Sequence, residues 1–347
     1  MFNLKRLFVV AATILALATV AMAYAAIQYQ SFLNTPIVAD SDGMTFEIAS
    51  GSSFRTVSDE LQALGLISNS RMFRFYARWS DQAAAIQAGE YLIVQGTTPV
   101  DLLQQFTSGA VQLYSFTIIE GWNQWDLLRA LHDDPNIDAS LTEEDWPAFL
   151  ENLGATHTHP EGLFLPETYR FPRNTSDRKV LRQAYELMQS ILSEEWPQRA
   201  AEIPIKTPYE ALILASIVEK ETARGDERPR ISGVFTRRLE KRMRLQTDPT
   251  VIYGIGPNFN GNLTRRDLQT DTAYNTYTRH GLPPTPIALP GRAAIQAALN
   301  PADGKELYFV ATGLGDGSHA FSTNKDEHDA AVAAYLQRLR RQRQQGN

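Results

Sequence analysis

Leu212-Ile213-Leu214-Ala215-Ser216-Ile217-Val218-Glu219-Lys220-Glu221-Thr222 is an almost wholly apolar run that breaks abruptly into charge. A helix start is written in front of it: Thr207 is placed as the N-cap, Pro208 as the first helical residue, and Glu210 where a capping box needs it. Gly225 is the expected stop. At about 3.6 residues per turn, Leu212, Ala215, Ser216 and Glu219 fall along one stripe. A helix that buries its apolar side therefore carries the Glu219 carboxyl to the core edge. Desolvation there disfavours the charged form and raises the pKa. A carboxylic acid needs that property to hold a proton near neutral pH and deliver it to a leaving oxygen. The plainer reading of Glu219, Lys220 and Glu221 is the solvated end of a buried helix, and Glu221 in particular reads as a helix-end charge.

Around this run, 347 residues that are 43% hydrophobic and 21% charged give ordinary globular composition and room for two or more domains. The formal charge of -6, from 39 acidic and 33 basic residues, comes without any basic stripe interleaved with aromatics, so nucleic acid is not an expected partner. Zero cysteines exclude disulfides, thiolate metal sites and cysteine nucleophiles.

The compartment is read from the N-terminus. Leu7 to Ile27 carries no charge and as a helix spans roughly 31 Å, matching a hydrocarbon core of about 30 Å. Lys5 and Arg6 precede it, which places residues 1–6 in the cytoplasm and everything after Gln28 outside. A cleaved signal peptide is the competing reading, with Ala21-Met22-Ala23 and Ala23-Tyr24-Ala25 as small-residue cleavage sites. The run exceeds the usual apolar region of such peptides, which favours an uncleaved anchor at 7–27. Both readings export the body of the protein.

Residues 28–43 are polar, contain Pro36, and read as a tether, with the fold starting at Met44. Met44 to Ile48 reads as a strand, Gly51-Ser52-Ser53 opens a helix to Leu64, and Ser70 to Trp79 is a second amphipathic helix. A similar phrase returns with a strand at Gly89 to Val94, a helix opened by Gly96-Thr97-Thr98-Pro99, and a strand at Tyr114 to Ile119. The spacing of about 45 residues between the two helix openings predicts two related small α+β units.

Further along, His159 to Tyr169 reads as a strand or turn with exposed carboxylates at Glu161 and Glu167. Its prolines and glycine leave no regular element to fix His157, His159 and Glu161 as ligands, so no metal is expected. Val180 to Trp196 and Pro229 to Met243 read as helices, the second with Arg and Lys on a solvated outer face. Leu245-Gln246-Thr247-Asp248-Pro249-Thr250-Val251-Ile252-Tyr253-Gly254 is different in kind, because polar side chains crowd between apolar flanks. Ala273-Tyr274-Asn275-Thr276-Tyr277 repeats that mixture, and 281–287 with Pro290-Gly291 form a rigid, proline-rich cleft wall. A hairpin (Leu307 to Ala311, His319 to Ser322), a closing helix (Glu327 to Arg340) and a frayed tail from Gln342 end the chain.

These strings resemble the endolytic murein transglycosylases of the MltG or YceG-like type. The matching stretches are Leu-Ala-Ser-Ile-Val-Glu-Lys-Glu-Thr at 214–222, Met-Arg-Leu-Gln-Thr-Asp-Pro-Thr-Val-Ile-Tyr-Gly at 243–254, Thr-Ala-Tyr-Asn-Thr-Tyr at 272–277, Gly-Leu-Pro-Pro at 281–284 and, upstream, Glu-Gly-Leu-Phe-Leu-Pro-Glu-Thr-Tyr at 161–169. The resemblance implies an α+β chain with a single N-terminal transmembrane helix, LysM-like small α+β units over 44–119 and a catalytic domain over 120–347. Trp79, Tyr91, Trp122 and Trp125 are then candidates to stack on sugar rings, burial in the core being the plainer reading.

The resemblance further implies Glu219 as the catalytic residue and Gln246, Thr247, Asp248, Tyr274, Asn275 and Tyr277 as substrate contacts, with no cofactor. The reaction it implies is cleavage of the β-1,4 bond between N-acetylmuramic acid and N-acetylglucosamine in nascent peptidoglycan strands, leaving 1,6-anhydro ends and ending elongation. An inner-membrane, single-pass protein with a periplasmic catalytic domain follows, with penicillin-binding synthases as neighbours. A hydrolytic muramidase using Glu219 and Asp248, and a non-enzymatic wall-binding scaffold, are the alternatives.

Overall fold

The computed structural model describes residues 4–37 and 43–345, and the chain is mixed α+β with one long apolar helix at its N-terminus. It divides into two compact units, residues 1–114 with 171–173 and residues 115–170 with 174–347.

In the first unit, helix α1 (Leu4–Asn34) exposes its apolar residues from Leu7 to Ile27. It does not stop where the uncharged run does. The stretch expected as a tether continues α1, and Phe32, Leu33 and Ile37 are buried in the unit's core with Tyr29 packed against them. The physical reason is a second apolar stripe: Tyr29, Phe32 and Leu33 recur at helical spacing, so continuing the helix buries them together. Residues 38–42 of the expected tether lie outside the described residues, as does the side chain of Lys5.

Strand β1 (Met44–Ile48), helices α2 (Phe54–Ala63) and α3 (Ser70–Trp79), strand β2 (Gly89–Ile93) and helix α4 (Pro99–Ser108) complete this unit. β1 and β2 pair antiparallel, from Met44 opposite Ile93 to Ile48 opposite Gly89. The two phrases therefore build one unit and not two, because the strand that opens each is the other's partner. A single strand with two unpaired edges has nowhere to place its N–H and C=O groups. The helices begin where their caps dictate: Ser53 Oγ accepts from Thr56 N at 3.1 Å, and Thr98 with Asp101 forms a reciprocal capping box ahead of Pro99. Tyr91, weighed as a sugar-stacking residue, is fully buried, its ring edge-on to Phe106 at 4.8 Å.

Later elements are β3 (Leu113–Thr117), α5 (Gln124–Asp133), β4 (Ile137–Asp138), α6 (Trp146–Asn152), β5 (Thr168–Pro172), β6 (Thr175–Ser176) and α7 (Asp177–Glu195). Then come α8 (Pro208–Glu221), α9 (Arg228–Glu240), α10 (Asp248–Ile255), α11 (Arg265–Gln269), α12 (Arg292–Leu299), the antiparallel pair β7 (Tyr308–Ala311) and β8 (His319–Ser322), and α13 (Lys325–Gln345). The second unit is assembled around α8. Every residue from Ala211 to Val218 is buried, and α9, α10 and α12 pack on it. A helix apolar all round is a core helix, and each large side chain it buries contributes roughly 1.5–3 kcal/mol.

The capping of α8 differs in detail from the expected box. Thr207 Oγ1 accepts from Glu210 N at 3.1 Å, while the Glu210 carboxylate takes the Lys206 amide at 2.6 Å and not the amide of the cap. α8 also ends before Gly225. Thr222 turns extended (φ -148°) and its hydroxyl accepts from Arg224 N at 3.0 Å, so the helix terminates without a glycine.

Candidate active site

Two polar groups flank the last turn of α8. The first is Glu219, whose side chain is 5% exposed. Its Oε1 accepts from Arg228 Nη2 at 2.7 Å and its Oε2 from Gly291 N at 3.0 Å. Arg228 Nη2 also donates to Glu120 Oε2 at 3.2 Å, and Lys220 Nζ donates to Gly121 O at 3.0 Å. Burial pushes the Glu219 carboxyl above its ordinary range. The Gly291 amide, Arg228 and Lys220 pull the other way, and Glu120 adds to the rise. A cavity of about 410 Å³ opens beside it, lined by Glu120, Gly121, Glu219, Lys220, Glu221, Thr222, Ala223 and Arg228.

The proline-rich segment reaches this point as a strap over the core, with its residues from Pro286 to Pro290 buried. Ile287 N donates to Ser216 Oγ at 3.0 Å, Leu289 exchanges backbone bonds with Gly121 and Trp122, and the next turn delivers the Gly291 amide to Glu219. A Cβ at position 291 would stand 1.8 Å from Glu120 Oε1, so the glycine is what lets Glu120 approach.

Arg228, at the start of α9, is a functional candidate that the sequence reading did not single out, while Arg238 fell on the face read as solvated. Both Arg228 and Arg238 are buried, and the second donates to the backbone oxygens of Leu307 (2.6 Å) and Leu245 (2.8 Å). The signal was present: Arg228, Ile231, Phe235 and Arg238 share one helical stripe with buried apolar residues between the arginines. Composition alone made that stripe look like surface.

The second group is centred on Glu221, which is not a solvated helix-end charge. Thr247 Oγ1 donates to its carboxyl, Asp248 and His319 act on it electrostatically, and burial pushes it up to about 7. Tyr277 OH donates to Asp248 Oδ1 at 2.5 Å. Glu221, Gln246, Asp248 and Tyr277 line a cavity of about 540 Å³ together with Arg238, Tyr308 and His319. Gln246 holds a left-handed backbone at φ 53°, a conformation that costs a non-glycine residue about 1–3 kcal/mol and concentrates at sites where geometry is dictated by function.

The structure thus gathers Gln246, Thr247, Asp248 and Tyr277 at Glu221, two residues beyond Glu219. The joint is made by Thr276, whose Oγ1 accepts from Thr247 N at 3.1 Å and meets Thr250 Oγ1 at 2.9 Å. Asn275 lines neither cavity. It is fully buried, with Nδ2 donating to the backbone oxygens of Asp267, Leu268 and Thr270 and Oδ1 accepting from Tyr277 N at 2.8 Å. Its amide folds the loop that carries Tyr277. Tyr274 bonds Thr285 Oγ1 at 2.8 Å and stands edge-on to Tyr253 at 5.0 Å. Thr247 is likewise buried, its hydroxyl used on Glu221.

Glu161, read as exposed, is fully buried. Its Oε2 accepts from Gln124 N at 3.0 Å, and desolvation pushes it up to about 8 against the pull of that amide and of Tyr253. Gly162 beside it turns the chain with φ +77°, where a Cβ would meet Pro286 at 2.5 Å.

Removing the negative charge of Glu120 tests the electrostatics at Glu219. Glu120→Gln takes away a group that raises the Glu219 pKa and leaves Arg228 to that carboxyl alone, so both changes favour the ionised form. If Glu219 acts as an acid, the alkaline limb of the rate–pH profile moves to lower pH in this variant. A limb that stays put or moves up contradicts the coupling.

The model of the YceG-like family matches residues 46–334. The chain belongs to the YceG-like family. An endolytic murein transglycosylase of Bacillus subtilis (strain 168) is 29% identical over 331 residues, covering 89% of each chain. An endolytic murein transglycosylase of Streptococcus pneumoniae (serotype 2, strain D39) is 28% identical over 89% of this chain, which spans 62% of that protein's length. A crystal structure of a yceG-like protein from Listeria monocytogenes is 26% identical and superposes with a TM-score of 0.50, covering 84% of this chain and 99% of that one.

Proposed function

We propose that this YceG-like protein is a membrane-anchored lytic transglycosylase that cuts the β-1,4 bond between N-acetylmuramic acid and N-acetylglucosamine within nascent glycan strands. The observation that carries the reading is a carboxyl of raised pKa, Glu219, beside an open cavity on a family member similar along 89% of its length to an endolytic murein transglycosylase. Helix α1, long and apolar enough to cross a bilayer, is read as the single-pass anchor in the inner membrane, and the synthases that make the strands as its neighbours. The LysM-like character of the first unit belongs to the same reading, as a second hold on glycan.

In this mechanism protonated Glu219 gives its proton to the glycosidic oxygen as the bond from that oxygen to C1 breaks through an oxocarbenium-like state. The muramyl C6 hydroxyl then attacks C1, its proton returns to the Glu219 carboxylate, and a 1,6-anhydro ring closes with no water consumed. Arg228 and the Gly291 amide hold the carboxyl in place, and strand binding that expels water from the cavity raises its pKa further. Gln246, Asp248 and Tyr277 offer the polar groups that orient the sugar.

A hydrolytic muramidase would pair Glu219 with Asp248, yet the two line different cavities, with Asp248 held by Tyr277. A second transglycosylase reading is favoured by Glu221, which lines both cavities and sits near 7. There Glu221 is the acid, and Glu219 is locked by its ion pair. Digestion of purified sacculi followed by mass spectrometry tests the proposal. Muramyl ends one water lighter than reducing ends are expected, and reducing ends alone would overturn it.

A further inference from the structure

We infer that helix α3 docks on the bilayer surface, with Phe75 and Trp79 in the interfacial layer and Arg71 and Arg78 on anionic phospholipid headgroups. The inference rests on the reading of α1 as a membrane span. Arg71, Phe75, Arg78 and Trp79 fall on one side of α3 by helical spacing, and all four are exposed, Phe75 by 61% and Trp79 by 78%. Large aromatics flanked by arginines, at that exposure, are the composition that lipid headgroups accept and that water does not favour.

What places this face at the bilayer is its contact with α1. The Phe75 ring stands edge-on to Tyr29 with centroids 5.6 Å apart. Tyr29 lies two residues past Ile27, about 3 Å further along the helix axis. α1 runs unbroken through this point, and its last turns are part of the unit's core, so no slack separates the unit from the apolar span. Phe75 therefore lies within roughly 9 Å of the end of the hydrocarbon stretch, close to the depth of a headgroup layer about 5–8 Å thick on each side. Anionic headgroups attract an arginine held at the surface, which adds to the burial of the aromatic rings. A glycan strand stacked on Trp79 is the competing occupant. The second aromatic and the contact with α1 favour lipid.

The cysteine-free chain makes the test clean. Single variants Trp79→Cys, Arg78→Cys, Leu17→Cys and Glu151→Cys of the full chain are nitroxide-labelled and reconstituted into nanodiscs of phosphatidylethanolamine and phosphatidylglycerol. Accessibility to oxygen and to a polar nickel chelate is then read by electron paramagnetic resonance. Leu17 in mid-span is expected to read deep, Glu151 on the other unit aqueous, and positions 78 and 79 interfacial, with oxygen collisions several-fold favoured over nickel relative to Glu151. The Arg78→Cys label keeps the Trp79 ring in place, so loss of that anchor is controlled. Aqueous readings at 78 and 79 with Leu17 still deep overturn the docking and leave the anchor standing. An aqueous Leu17 overturns both. Labels that are aqueous in the nanodisc and become immobilised on addition of glycan strands assign the face to sugar and overturn the proposal.

Discussion

Glu219→Gln is expected to reduce the release of anhydro-muramyl ends from sacculi by about 10³-fold while leaving the fold intact. General acid–base assistance contributes typically about 10²–10⁴-fold, and here one carboxyl would serve in both directions, so no second group compensates. The amide is isosteric and keeps one oxygen for Arg228 or Gly291, and Arg228 retains Glu120 as a partner. The unfolding temperature should therefore change little, which separates loss of chemistry from loss of structure. Glu221→Gln is the decisive companion. If Glu219 is the acid, the Glu221 variant loses less activity, because it perturbs the Thr247 contact and the walls of the two cavities but leaves the proton-donating carboxyl in place. The reverse order, with Glu219→Gln within tenfold of wild type and Glu221→Gln inert, would transfer the acid role to Glu221.

Thermal stability of the whole chain in detergent should fall between about pH 5 and pH 8. Glu161 and Glu221 have folded-state values of about 8 and about 7, against 4.5 for an ordinary glutamate. In that window the folded chain keeps protons that the unfolded chain has released, so stability is fullest below the ordinary value and is lost as pH rises through 7 and 8. Each pKa unit corresponds to about 1.4 kcal/mol, which puts the loss on the order of a few kcal/mol for Glu161 alone. Glu161→Gln, which can still accept the Gln124 amide, should flatten the profile and make the variant relatively more stable at pH 8 than at pH 5. A variant profile parallel to wild type across pH 5 to 8, followed by calorimetry, would show that Glu161 is not held protonated.

Much of this was legible along the chain. The start of α8 is written in Thr207-Pro208, and the strand and helix limits of the first unit follow their caps, because those signals act between residues one to four apart. The apolar run at 7–27 and the apolar length of α8 needed only composition. The errors share a cause. Glu161, Glu221 and Arg238 were read as surface because they are charged, yet each is buried against partners far away in sequence: Gln124, Thr247 and Leu307. Asn275 was read as a sugar contact because its motif is shared, while its amide is spent on the loop that holds Tyr277.

Sequence alone determined that one greasy helix carries a carboxyl at its end, because helix periodicity and capping are local properties. Which carboxyl faces which cavity was decided only when α9, the 245–250 block and the proline strap converged on that end. Burial and ion pairing belong to groups brought together across the chain, and no spacing rule encodes the depth at which a charge finally rests.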